Sequence, residues 1–273
     1  MVVGRNSRNL HRFETDYPGA VRAAAIVAVL VLPVLAGCGG KGSGKRGDVG
    51  GAIEPRARTC AAGSFHRLGS SRIAYVAIVR SRVAVSRRPG SRAFARFDRL
   101  NLNHVPTIFS IRGAAVDATC NPRSYLVQVP RRPNGVTGWV RAAQVRVATV
   151  NTRIVVDLSA TRVTLYRDGR PVLSSAAAIG SPETPTPTGR FYVNQRLRPD
   201  EPGGPFGPGA VGISAFSNVL TGWTQGGPIA IHGTNAPWSI GKAVSNGCIR
   251  LPNPVLKKVF AQALNGTPVL IRR

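Results

Sequence analysis

From Ser71 to the C-terminus the apolar residues come in short runs, and almost every run is closed by Gly, Pro or Asn. The runs at 73–79, 83–85, 107–111 and 125–129 are separated by Arg88-Pro89-Gly90, Asn121-Pro122 and Pro133-Asn134-Gly135. A helix needs an apolar stripe carried for ten residues or more at a spacing near 3.6. A chain interrupted this often has little room for one, and folds mainly into short strands joined by turns. The 31 Gly and 21 Pro among 273 residues, with only 6% aromatics, point the same way.

The second half continues the pattern. Segments 153–158 and 162–166 alternate as half-buried strands, and Asp168-Gly169 supplies the positive φ of a hairpin turn. Segment 171–179 is the return strand, 180–189 a Pro/Thr loop, 190–194 a strand and 199–209 a Pro/Gly loop that contains Asp200 and Glu201. Segment 229–232 is a strand with His232 at its end. One helix is expected, capped by Asn253 with Pro254 at its first position. Val255, Leu256, Val259, Phe260, Ala263 and Leu264 follow at helical spacing, Gly266 ends it, and 267–271 is a last strand.

The N-terminus bears on the compartment. Arg5, Arg8, Arg12 and Arg22 precede an apolar stretch at 23–35 that is shorter than the roughly 20 residues of a bilayer span. This is the layout of a secretory signal. Leu35-Ala36-Gly37-Cys38 resembles a bacterial lipobox, in which Cys38 would carry lipid. Residues 39–58 read as a Gly-rich tether. The expected location is the outer face of the cytoplasmic membrane, facing the wall. The net charge of +26 implies an anionic neighbour, an acidic wall polymer or the membrane surface; export argues against nucleic acid. In an oxidising compartment Cys60 and Cys120 can pair, which leaves Cys248 without an obvious partner.

Cys248 and His232 lie in one run, 231–251, with Gly233 and Gly247 beside them. A thiol attacks as its thiolate, and an imidazole can take its proton. Gly247 allows close approach of backbone to the sulfur, and the N–H groups of Gly247 and Cys248 are candidates for an oxyanion hole. A buried structural cysteine and an unrelated loop histidine would also fit the pair alone.

The wider pattern weighs against that. A histidine followed by Gly, then Ser245-Asn246-Gly247-Cys248-Ile249-Arg250, together with Pro185-Thr186-Pro187-Thr188-Gly189-Arg190-Phe191, resembles the L,D-transpeptidases with a YkuD-type catalytic domain. Segment 132–140 resembles the closing hairpin of a bacterial SH3-like barrel. The implied fold is mainly β: an SH3-like β domain over 59–150, a spacer or substrate guide, and a catalytic domain with a C-terminal helix over 151–273. The family resemblance implies that Cys248 attacks the peptide bond before the terminal D-Ala of a peptidoglycan tetrapeptide stem. A thioester forms, D-Ala leaves, and an amine of a neighbouring stem resolves it as a 3→3 cross-link. His232 would act as base and then acid, oriented by the carbonyl of Gly233. No Asp or Glu follows Glu201, so a carboxylate triad is not available within that stretch. Arg250 would favour the thiolate and hold a substrate carboxylate. Ser245 and Asn246 are further substrate-side candidates.

One departure is Asn246, where the family usually has His. His232 is then the sole candidate base of this half, since His11, His66 and His104 lie elsewhere. Trp223 and Trp238 would flank a cleft or fill a core; Tyr166, Phe191 and Tyr192 read as core; Asn235 and Lys242 are weak substrate candidates. No cluster of His, Cys and carboxylates has metal-ligand spacing, and neither metal nor cofactor is expected. Two other functions share these residues. One is a carboxypeptidase or hydrolase that gives the same thioester to water, and the other a non-catalytic basic lipoprotein that binds the wall.

Overall fold

The computed structural model describes residues 59–222, 225 and 227–273. The signal segment, Cys38, the tether and Trp223 lie outside the described residues. The chain is mainly β, as its punctuation predicts, with strands in two large sheets and one α-helix among the described residues.

The first sheet holds β1 (Phe65–Arg67), β2 (Ala74–Val79), β3 (Arg82–Ser86), β4 (Ala93–Asp98), β5 (Ile108–Val116), β6 (Pro122–Gln128), β7 (Thr137–Arg141) and β8 (Val145–Val150). Its order is β4-β3-β7-β6-β5-β2-β8, with β1 also on β5, and every pairing is antiparallel. The alternation does what period-two patterning requires. In β3, Val83 and Val85 are fully buried while Arg82 faces solvent. Strands β4 and β8 were not marked by the apolar runs, because their inward residues are interleaved with arginine.

Cys60 and Cys120 are joined, with their Cα atoms 5.2 Å apart and 60 positions of chain between them. The bond pins the segment before β1 to the β5–β6 turn. Closing a loop of that length removes about 4 kcal/mol of chain entropy from the unfolded state. The double variant Cys60→Ser/Cys120→Ser is therefore expected to lose stability of that order. Denaturant unfolding of the two proteins checks it, and equal midpoints would refute it.

The second sheet holds β9 (Thr152–Asp157), β10 (Arg162–Arg167), β11 (Arg170–Ala176), β13 (Gly189–Leu197), β14 (Ala210–Phe216), β15 (Pro228–His232), β17 (Ile249–Arg250) and β18 (Pro268–Arg272). A short parallel pair, β12 (Ile179–Gly180) and β16 (Ala243–Ser245), lies beside it, and α1 spans Asn253–Gln262. The order is β11-β10-β9-β18-β13-β14-β15-β17, with β9–β18 and β15–β17 parallel. Asp168 and Gly169 both take positive φ, 52° and 81°, and turn β10 into β11.

Two expectations need correction. Strand β14 is central and falls in a stretch where the sequence marks no strand. Its residues from Ala210 to Ala215 are all buried, so it shows no alternation, as expected of a strand covered on both faces. Asn253 does not cap α1. The cap position is Pro252, without a side-chain bond, and Asn253 Oδ1 accepts the N–H of Thr234 at 2.8 Å. The helix ends at Gln262, four residues before Gly266, whose φ of 96° turns the chain into β18. Leu256 and Val259 are fully buried and pack α1 on the sheet.

The sheets meet through Val76, Ile78, Ile108 and Val150 of the first and Tyr192 of the second. The Tyr192 hydroxyl donates to Ile108 O at 3.1 Å, and Gln128 Nε2 donates to Arg190 O at 2.7 Å. Phe191 and Tyr192 are core residues, 3% and 0% exposed.

Candidate active site

The site begins with strand register. In β15, Ile229 and Ile231 enter the core, so Ala230 and His232 face the other way. Strand β17 runs parallel to β15 with Ile231 opposite Ile249 and His232 opposite Arg250. Cys248, one residue before Ile249, therefore falls opposite Ala230, on the face that carries His232 and Arg250. The two strands thus present imidazole, thiol and guanidinium on one surface. His232 is only 4% exposed, and Cys248 is half-buried.

The imidazole is oriented by its own chain. Nδ1 lies 2.6 Å from the carbonyl oxygen of Gly233. A carbonyl only accepts, so Nδ1 carries the proton and Nε2 keeps its lone pair.

The turn that carries Cys248 is braced from within and from the Pro/Thr loop. Ser245 Oγ donates to Cys248 O at 2.5 Å and accepts the Gly247 N–H at 3.1 Å. Thr186 Oγ1 donates to Gly247 O and accepts the Gly180 N–H, both at 2.8 Å. Thr184 Oγ1 donates to Ser245 O at 2.9 Å. Ala178 and Arg250 exchange both backbone bonds at 2.9 Å. The Gly247 N–H, one of the two expected oxyanion donors, is bonded to Ser245 Oγ in this structure. Ser245 is buried and acts on the turn itself, whereas Asn246 is exposed.

The Pro/Thr run is visible in the sequence, but the individual roles of Thr184 and Thr186 arise only from these long-range bonds. Phe206, from the 199–209 loop, is a further such residue: its ring stands edge-on to His232 with centroids 5.0 Å apart. Trp238 is 65% exposed with the Lys242 ammonium 5.5 Å from its ring centre, and Asn235 is exposed. Tyr166 is half-buried under Arg153.

The profile of the YkuD family, the L,D-transpeptidase catalytic domain, matches residues 151–271. YkuD of Bacillus subtilis strain 168 is 41% identical over 125 residues, 46% of this chain and 68% of the relative. The chain belongs to the YkuD-type L,D-transpeptidase family. YcfS of Escherichia coli K12 is 40% identical over 67 residues, 24% of this chain and 18% of the relative. A crystal structure of an Enterococcus faecium L,D-transpeptidase mutant overlaps at 30% identity and a TM-score of 0.35. That overlap covers 44% of this chain and 49% of that one, so the chain spans about half the length of that structure.

In this L,D-transpeptidase domain the electrostatics favour a neutral resting pair. Burial lowers the His232 pKa from 6.5 to about 4; the Gly233 carbonyl opposes this and the Arg250 charge adds to it. Burial raises the Cys248 thiol above its ordinary range, while a hydrogen bond with the Ala230 backbone and the charge of Arg250 draw it back. Arg250 Nε is itself buried without a hydrogen-bond partner.

The His232 shift has a consequence for stability. Between pH 6.5 and about 4 the unfolded chain binds a proton at this position and the folded chain does not. Stability from this group is full above pH 6.5 and falls as acid is added, by about 3 kcal/mol in all. His232→Asn is expected to flatten the slope of stability against pH in that window. Parallel slopes for the two proteins in urea titrations at pH 4 to 7 would contradict it.

Proposed function

We propose that this chain is a peptidoglycan L,D-transpeptidase that works through a thioester on Cys248. The observation that carries the reading is the shared face of His232 and Cys248, with the Nδ1 contact to Gly233 O leaving Nε2 as acceptor. In the acylation step the Cys248 thiol gives its proton to His232 Nε2, and sulfur bonds to the carbonyl carbon before the terminal D-Ala. The carbon–nitrogen bond then breaks, and the imidazolium returns the proton to the leaving amine. In the second step an amine of another stem attacks the thioester, loses its proton to His232, and frees the thiol as the 3→3 amide forms. Negative charge on the carbonyl oxygen is met by the Cys248 amide. The unpartnered Arg250 Nε suits a carboxylate of the stem.

A neutral resting pair suits this chemistry. Charge develops only when the carbonyl arrives, so the buried site holds no ion pair in waiting. The remainder of the chain fits delivery to the wall: lipid on Cys38, a tether at 39–58, and an SH3-like unit over 59–150 that spaces the site from the membrane. The excess of basic residues suits an anionic wall polymer or the membrane surface.

The test is intact mass of the protein after incubation with a disaccharide-tetrapeptide, with free D-Ala measured beside it. An adduct lacking D-Ala, discharged to a cross-linked dimer, supports the transferase. Discharge to the free acid would make it a hydrolase. Neither adduct nor D-Ala from a folded protein would leave a wall-binding lipoprotein.

A further inference from the structure

Phe206 is a large apolar side chain left 41% exposed on a Gly/Pro loop, and the described ring it meets is the imidazole of His232. Core packing does not account for an exposed phenyl ring. The loop that carries it is tightly set. Gly204 N–H donates to Glu201 O at 3.0 Å, Gly207 N–H to Gly204 O at 2.9 Å, and Gly233 N–H to Gly209 O at 3.3 Å. Gly207 has a φ of 59°, and a Cβ there would stand 2.7 Å from Gly233 Cα and 2.8 Å from Thr234 N. The loop therefore lies directly on the turn that follows His232, and only glycine allows that approach. On the same turn, Asn253 Oδ1 holds the Thr234 N–H. Loop, turn and helix start form one unit with Phe206 aimed at the base.

We propose that Phe206 is a positioning residue for His232: with the Gly233 carbonyl it fixes the imidazole in the orientation that turns Nε2 toward Cys248, and its ring keeps water from that side. The other charged and titratable groups around His232 are Arg250 and Cys248 from the β17 side. Asp200 and Glu201, in the same loop as Phe206, are exposed. The inference rests on the transpeptidase reading for its effect on rate, but its effect on His232 exists without substrate.

The experiment compares the full chain with Phe206→Ala, Phe206→Leu and Phe206→Tyr. One measurement follows the His232 ring nitrogens by NMR across pH in the substrate-free proteins. The other takes kcat and KM for D-Ala release from a disaccharide-tetrapeptide. Phe206→Ala is expected to admit water, raise the His232 midpoint by about one unit and lower kcat about tenfold with little change in KM. Phe206→Tyr is expected to keep both near the parent. If the alanine variant does not fold, Phe206→Leu carries the test, with shifts in the same direction and smaller. An unmoved His232 midpoint in the folded alanine variant, or a loss confined to KM, overturns the proposal. A parent that releases no D-Ala, beside a midpoint that still moves on Phe206→Ala, overturns the transpeptidase reading and leaves the positioning contact standing.

Discussion

Cys248→Ala is expected to abolish both the covalent adduct and D-Ala release, a loss on the order of 10⁴-fold or more, while the protein still folds. The reason is chemical. An alanine methyl cannot attack a carbonyl, and among the described residues Cys248 is the one free cysteine. The fold should tolerate the change because Cys248 is half-buried and its turn is held elsewhere. Ser245, Thr184 and Thr186 bond to backbone atoms around it, and those bonds survive in the variant. A melting temperature close to the parent, beside missing activity, is the expected combination. D-Ala released at the parental rate by the alanine variant would remove Cys248 from the mechanism. Cys248→Ser is expected to be nearly as inactive, since a hydroxyl holds its proton far more tightly than a thiol and His232 is a weak base.

His232→Ala should lower acylation by about 10²- to 10⁴-fold and change the shape of the pH profile. In the parent the base must be unprotonated, which holds above about pH 4. The thiol, held above its ordinary range by burial, stays protonated well into the alkaline region. The parental rate should therefore rise through pH 4 and then stay level over several units. Without the imidazole the only nucleophile is the thiolate fraction, which grows about tenfold per pH unit below the thiol pKa. The variant should be slowest in acid and climb steadily, approaching the parent only in strong alkali. D-Ala release measured from pH 3 to 10 separates the two shapes. A variant with a level profile and nearly parental rate would mean that another group takes the proton.

The electrostatic balance behind that contrast comes from burial more than from partners. The side-chain charge acting on both His232 and Cys248 is that of Arg250. It favours the thiolate and disfavours the imidazolium, so it cannot stabilise both members of an ion pair. In the proposed mechanism such a site would keep its charge separation for the moment of attack, when the substrate carbonyl supplies the oxyanion.

Local chemistry determined much of this protein by itself. Alternation marked β9 and β10, because a half-buried strand places apolar residues at every second position, and short apolar runs closed by turn residues marked β2 and β3. Asp168-Gly169 marked a hairpin because few other pairs accept positive φ twice. Helical spacing from Val255 to Leu264 marked α1. The His232-Gly233 and Ser245-to-Arg250 segments marked the chemistry. Tertiary structure decided what those patterns cannot carry. Strand β14 has no alternation because both of its faces are covered, and a pattern records burial only where one face is left out. Asn253 looks like a cap in isolation, but the Thr234 N–H reached its oxygen first. Gly247 offers an N–H that Ser245 had already taken. Above all, whether His232 and Cys248 share a face depends on the parallel register of β15 and β17. That register brings Ile231 and Ile249 into one core together, a strand pairing that the residue pattern of the run does not by itself specify.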